Sequence, residues 1–98
     1  MEKIKIIIAD DHTMFLEGIV SLLVNEENIA ILGKAENGKE VFKIMENSIP
    51  DIILLDISMP DGNGFEVLGK IKALRPRLPV ILFSMYSDVC RLTGNPAD

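Results

Sequence analysis

The chain has 98 residues, 48% of them hydrophobic and 26% charged, with ten basic against 15 acidic side chains and a net charge of −5. That length accommodates one hydrophobic core and no second module, and the acidic balance argues against direct binding to nucleic acid or to an anionic membrane surface. A single cysteine, Cys90, excludes an internal disulfide, and no apolar run approaches the roughly 18 residues needed to span a bilayer.

The N-terminal "MEKIKIIIAD" has no long h-region and no small-residue cleavage site, so it reads as a first strand and not as a signal peptide. A soluble, cytoplasmic protein is expected. After "DDH", Phe15, Ile19, Leu22 and Leu23 fall at the spacing of one apolar helix stripe, which ends at "NEEN". "IAILGKAE" predicts a second strand, "NG" at Asn37 and Gly38 a turn, and "KEVFKIMENS" a helix with Val41, Ile44 and Met45 on its buried side. Pro50 stops that helix and "DIILLD" forms a third strand. Beyond "ISMPDGNG", Phe65, Leu68, Ile71 and Leu74 have core spacing until "RPRLP", and "VILFS" is a fourth buried strand. The order βαβαβαβ predicts a doubly wound parallel sheet with helices on both faces and right-handed crossovers. Residues 1–86 form this unit, and residues 87–98 are expected to be an irregular, partly disordered tail, because Gly94, Asn95 and Pro96 prevent a long helix.

Ligands of open parallel sheets bind at the carboxyl ends of the strands, where the strand order reverses. The first strand ends in Asp10 and Asp11, the third in Asp56 and the fourth in Ser84. Three carboxylates converging there would raise one another's pKa values or require a cation. Mg²⁺ answers that need, being held by one or two carboxylates and commonly shared with a phosphoryl group. The bland alternatives are that each aspartate caps a helix, which cannot explain the adjacent pair, and that Ser84 is an ordinary turn residue. His12 is expected to be a solvated loop residue or helix cap, and Cys90 to be inert.

"ADDH" after the first strand, "LLDISMP" with Gly64 eight residues past Asp56, and Ser84 closing "VILFS" resemble the receiver domain of bacterial two-component response regulators, over about Lys3 to Tyr86. The stretches "DDHTMFLEGIVSLL" and "DGNGFEVLGKIKALRPRLPVILFSMY" are most similar to receivers of LuxR-type transcription regulators. This resemblance implies a flavodoxin-like fold and a phosphorylatable switch that assists its own phosphorylation without being a dedicated enzyme. It makes Asp56 the phosphoacceptor for a sensor histidine kinase and Ser84 the hydrogen-bonding switch residue. Asp11, Asp56 and the main-chain carbonyl of Ser58 would hold Mg²⁺, and Asp10 would act through water. Met59 and Pro60 would shape the loop beside the acceptor, and Gly64 would permit the turn into the next helix. Met85 and Tyr86 would lie on an output surface.

One departure stands out. Receivers carry a lysine at the end of a fifth strand, whereas the last lysine here is Lys72, before the fourth. A full domain needs on the order of 30 further residues, so the chain reads as a receiver truncated before its fifth strand and its closing helix. The fourth strand would then be an exposed apolar edge, and a homodimer through that edge or through segment exchange is expected. Phosphorylation impaired by the missing lysine leaves a second possibility, a receiver-like interaction module or a non-functional fragment. A haloacid-dehalogenase-type phosphatase also uses a strand-end aspartate but needs a second acid where Ser58 stands. "GFEVLGK", Gly64 to Lys70, matches a phosphate-binding loop only superficially, since Ile71 replaces the Ser or Thr that would reach Mg²⁺.

Overall fold

Runs of Ile, Val and Leu that are apolar at consecutive positions form strands only when both faces of the sheet are covered, and this chain alternates such runs with amphipathic stretches able to cover them. In a computed structural model of the chain, residues 3–57, 64–83 and 90–93 are described, the last four by their backbone path. The elements are β1 (Ile4–Ala9), α1 (Thr13–Val24), β2 (Ile29–Ala35), α2 (Gly38–Asn47), β3 (Ile52–Asp56), α3 (Gly64–Leu74), β4 (Val80–Phe83) and β5 (Cys90–Thr93). The sheet order is β2-β1-β3-β4-β5, with the first four strands parallel. This is the doubly wound architecture expected from the sequence, with the strand order reversing between β1 and β3.

Alternate residues of the central strands feed two separate apolar clusters. Ile7, Ala9, Ile53, Leu55, Val80 and Leu82 meet Val41 of α2 and Val67 and Ile71 of α3. Ile6 and Ile8 pack on the opposite face against Leu16 of α1, with Ile19, Val20 and Leu23 around them. The start of β3 is tied to β1 by a reciprocal pair: Asp51 donates its backbone N–H to the Lys5 carbonyl at 2.7 Å, and its Oδ2 accepts from the Lys5 N–H at 2.8 Å. Among the described residues no helix is long and apolar enough to cross a membrane.

Two helix faces differ from the sequence expectation by about one residue. In α1 the buried residue is Leu16, whereas Phe15 is 38% and Leu22 76% exposed. In α3 the buried side is Gly64, Val67 and Ile71, and Phe65 and Leu74 face solvent. Both helices carry apolar side chains on more than one face, so periodicity alone left the stripe ambiguous by one position, about 100° of helix. In α2 the expected face holds: Val41 is fully buried, with Ile44 and Met45 packed against the same cluster.

The turn expected at Asn37 and Gly38 is the start of α2. Asn37 is its N-cap, the Oδ1 accepting from the Glu40 N–H at 3.0 Å, while Glu40 Oε1 reaches back to the Glu36 N–H at 2.6 Å. The first bond satisfies a donor that the first helical turn otherwise leaves open, and the second ties the residue before the cap to the same turn. Asn37→Ala should therefore lower stability by about 1 kcal/mol, read as a loss of roughly 4–8 °C in Tm by circular dichroism.

The absence of any strand after β4 is corrected by the structure. Four residues of the expected tail, Cys90–Thr93, form β5 antiparallel to β4, with Phe83 opposite Cys90 and Val80 opposite Thr93. The open N–H and C=O groups of an apolar edge strand favour such pairing, and the short segment "CRLT" has a β-branched residue and no Pro or Gly within it. The exposed β4 edge on which edge-to-edge dimerisation rested is thus covered.

Candidate metal centre and acidic pocket

At the carboxyl end of β1 the chain leaves the sheet with Asp10, whose N–H still donates to the Ala35 carbonyl of β2 at 2.9 Å. β3 runs beside β1 in register, Ala9 opposite Leu55, so the next residue of β3, Asp56, arrives next to Asp10. Asp10 and Asp56 are both fully buried, the two polar residues in an otherwise apolar set. Asp11 is partly exposed just above them. The expected convergence of Asp10, Asp11 and Asp56 is present at the point where the strand order reverses. Ser58 and Ser84 lie outside the described residues, as do Met59, Pro60, Met85 and Tyr86.

Sequence reasoning missed the fourth member. His12 occupies the N-cap position of α1, yet its side chain makes no capping bond. Its Nδ1 instead lies 3.0 Å from Asp10 Oδ1, 3.1 Å from Asp11 Oδ1 and 3.8 Å from Asp56 Oδ2, and its backbone N–H donates to Asp10 Oδ1 at 2.9 Å. The expectation was a solvated loop residue or helix cap: His12 does stand at the cap position, but its ring, 32% exposed, is directed to the three carboxylates and not to the helix N-terminus. The available signal was its place directly after the Asp10–Asp11 pair.

The electrostatics follow from this packing. Burial pushes the Asp10 carboxyl up to about 6, and neighbouring Asp56 adds to the rise, against the hydrogen bonds from His12 that lower it. His12 is raised above the ordinary imidazole value, first by its hydrogen bond to Asp10 and then by the charges of Asp11, Asp10 and Asp56, with burial opposing.

One ligand atom from each of Asp10, Asp11, His12 and Asp56 lies within 4.8 Å of all the others. Among the described residues, the buried Asp10 Oδ2 has no hydrogen-bond partner, and Asp11 Oδ1 has only the ion-pair contact with His12. Buried carboxylate oxygens left in that state are costly unless a cation compensates them. The donor set, mostly hard oxygens at strand ends, fits a small divalent ion.

Gly64, at the start of α3, packs against the main chain at the end of β3. Its N–H donates to the Ile57 carbonyl at 3.0 Å, and an added Cβ would stand 2.6 Å from the Asp56 carbonyl oxygen and 3.0 Å from the Ile57 carbonyl carbon. The glycine is required by this close approach between the start of α3 and the end of β3, and the sequence had suggested only a turn.

The sequence profile of the response regulator receiver domain matches residues 6–93. The chain belongs to the response regulator receiver family. Among curated proteins this receiver is 40% identical over 88 residues to a protein-glutamate methylesterase/protein-glutamine glutaminase of Clostridium acetobutylicum, covering 90% of the chain and 26% of that protein. It is 36% identical over 89 residues to the nitrate/nitrite response regulator protein NarL of Escherichia coli K12, covering 89% of the chain and 41% of that protein. The receiver therefore spans well under half the length of these relatives. Among solved structures it resembles the isolated receiver domain of RcsB from Salmonella enterica serovar Typhimurium, determined in the presence of the phosphomimetic BeF3⁻, with a TM-score of 0.77, 28% identity, and coverage of 98% of this chain and 67% of that one. The resemblance to receivers of transcription regulators holds, and the methylesterase relative carries a receiver joined to a different remainder.

Proposed function

We propose that this receiver is a signalling switch that accepts a phosphoryl group on Asp56 from a sensor histidine kinase in a Mg²⁺-dependent reaction. The observation that carries it is the full burial of Asp56 at the β1–β3 reversal, beside a second buried carboxylate with an unsatisfied oxygen. In the transfer, an Asp56 carboxylate oxygen attacks phosphorus in line. The bond from phosphorus to the donor nitrogen of the kinase histidine breaks, its electron pair stays on the imidazole, and Asp56 is left as an acyl phosphate. Asp11, Asp56 and the Ser58 carbonyl would hold Mg²⁺, with Asp10 acting through water, and the bound ion would draw charge from the transferring group. Ser84 would hydrogen-bond a phosphoryl oxygen after transfer and move its loop. β1 and β3 fix the two buried carboxylates on adjacent parallel strands, and the apolar residues beneath keep water from the inner side of the acceptor.

Lys72 does not serve as the positive partner of the pocket. Its Nζ donates to the Leu78 carbonyl at 2.6 Å, in the segment that enters β4 at the opposite end of the sheet. For dimerisation, the covering of β4 leaves exchange of the 90–93 segment, or pairing at the outer edge of β5, as the routes the sheet supports.

The test is incubation with a small acyl-phosphate donor, with and without Mg²⁺, read by intact mass and by peptide mapping. The expected result is one phosphoryl group on Asp56, formed only with Mg²⁺ and absent in Asp56→Asn. A correctly folded chain with no mass gain would favour the other reading, a receiver fold that acts through protein contacts alone.

A further inference from the structure

The oxygen ligands account for a hard cation and leave His12 without a part in the chemistry, although its ring turns into the pocket. We propose that His12 Nδ1 is an inner-sphere nitrogen ligand that adapts this pocket to borderline divalent transition ions of the Ni²⁺, Cu²⁺ and Zn²⁺ class, in competition with Mg²⁺. The proposal rests on the acidic pocket being the divalent-cation site.

Its basis is geometric. A metal bonded at about 2.1 Å to its ligands separates two cis ligands by about 3.0 Å and two trans ligands by about 4.2 Å. His12 Nδ1 stands 3.0 Å from Asp10 Oδ1 and 3.1 Å from Asp11 Oδ1, the spacing of two cis edges, and 3.8 Å from Asp56 Oδ2. One ligand atom from each of the four residues lies within 4.8 Å of the others, so closing on an ion requires the widest pair to contract by at most about 0.6 Å. An independent observation points to a ligand: Asp10 is fully buried, and its Oδ2 has no hydrogen-bond partner among the described residues. Imidazole nitrogen suits Zn²⁺, Cu²⁺ and Ni²⁺, whereas Mg²⁺ takes oxygen and sheds water reluctantly, so one nitrogen among three carboxylates discriminates between the two classes. The ring is held for this role by the backbone: the His12 N–H bond to Asp10 Oδ1 and the start of α1 immediately after it fix the Cα beside the carboxylates. Its side chain remains 32% exposed, which leaves a path for an ion from solvent.

The chain contains one histidine, so any imidazole signal is assignable, and one cysteine, which Cys90→Ser removes as a competing thiol. In that background, calorimetry with Mg²⁺ and with Ni²⁺ is compared with the same titrations after His12→Gln, and pulsed EPR is recorded on the Cu²⁺ form. The expected results are Ni²⁺ binding at least about tenfold tighter than Mg²⁺, a loss of at least about tenfold in Ni²⁺ affinity with His12→Gln, and a Mg²⁺ affinity changed by less than about threefold. The Cu²⁺ form is expected to show the remote-nitrogen modulation of a bound imidazole. Mg²⁺ binding together with unchanged Ni²⁺ affinity in His12→Gln, or no imidazole modulation in the unsubstituted pocket, would overturn the proposal. No Mg²⁺ binding, with Ni²⁺ binding that depends on His12, would instead overturn the Mg²⁺ reading and leave the nitrogen ligand standing.

Discussion

Gly64→Ala is expected to destabilise the domain by about 3 kcal/mol or more, a fall of roughly 15 °C in Tm, because one methyl group has no space to occupy. The neighbours that an added Cβ meets are backbone: the Asp56 carbonyl oxygen at 2.6 Å and the Ile57 main chain. Side chains can change rotamer, but here the start of α3 or the end of β3 has to move, and the Gly64 N–H bond to the Ile57 carbonyl opposes their separation. Any shift of β3 also displaces Asp56, so the phosphoryl uptake proposed for it should fall even at temperatures where the variant stays folded. Gly69→Ala, in the same helix with nothing within 4 Å of its added Cβ, is the control. It should stabilise by about 0.5–1 kcal/mol through helix propensity. Thermal unfolding of the two variants side by side checks the assignment, and a Gly64→Ala protein as stable as the parent would show that the two segments do not approach as described.

Asp10→Asn is expected to act in opposite directions on stability and on metal binding. In the folded chain burial holds the Asp10 carboxyl near 6, above its ordinary value of 3.8. The folded state then binds a proton more tightly than the unfolded state between those two values. The contribution of Asp10 to stability therefore declines as pH rises from about 4 to about 6 and is constant above that. An amide keeps the Oδ1 that accepts from the His12 N–H and removes the charge, so at pH 7.5 without metal the variant should be more stable by about 1–2 kcal/mol, the gain being limited by solvent near the pocket mouth. The advantage should vanish below about pH 4, where both side chains are neutral. Divalent ions should narrow or close that gap: the parent gains about 2.7 kcal/mol at a metal concentration 100 times its Kd, and a variant with tenfold weaker binding gains about 1.4 kcal/mol, about 1.3 kcal/mol less. Melting curves against pH with chelator, then against Mg²⁺, measure both effects. A variant less stable than the parent in chelator at pH 7.5 would contradict the cost assigned to the buried carboxylate.

Much of the fold was legible because strand and helix signals here are long and punctuated. Ile6–Ala9 and Ile52–Leu55 are apolar without interruption, as doubly covered parallel strands must be, and Pro50 and Pro79 mark segment ends. The pocket was legible for a related reason: a carboxylate directly after such a strand has few structural purposes, and two such strands brought Asp10, Asp11 and Asp56 together. Less visible were quantities set by tertiary packing. The rotation of α1, which buries Leu16 and not Phe15, depends on where β1 presents Ile6 and Ile8. In α3 the close approach of Gly64 to β3 selects Val67 over Phe65. β5 escaped notice because four residues carry almost no periodic signal, and their pairing is decided by the edge they meet. His12 was read alone, although its environment consists of the very carboxylates already identified.

The covering of the sheet is uneven, with α2 and α3 on one face, α1 alone on the other, and an antiparallel β5 at the margin. Amide exchange should reveal this as a gradient of opening energies. The amides of β1 and β3, hydrogen-bonded between neighbours on both sides and sealed above and below, should exchange only when the whole domain unfolds. Those joining β4 to β5 can be released by peeling the four-residue β5 from the rim, at a fraction of that energy. The Asp56 amide lies on the protected side of that divide, while the amides of β5 lie across it. Asp56 is thus anchored in the slowest-opening part of the molecule, and the strand beside it, β4, borders the part that opens most readily.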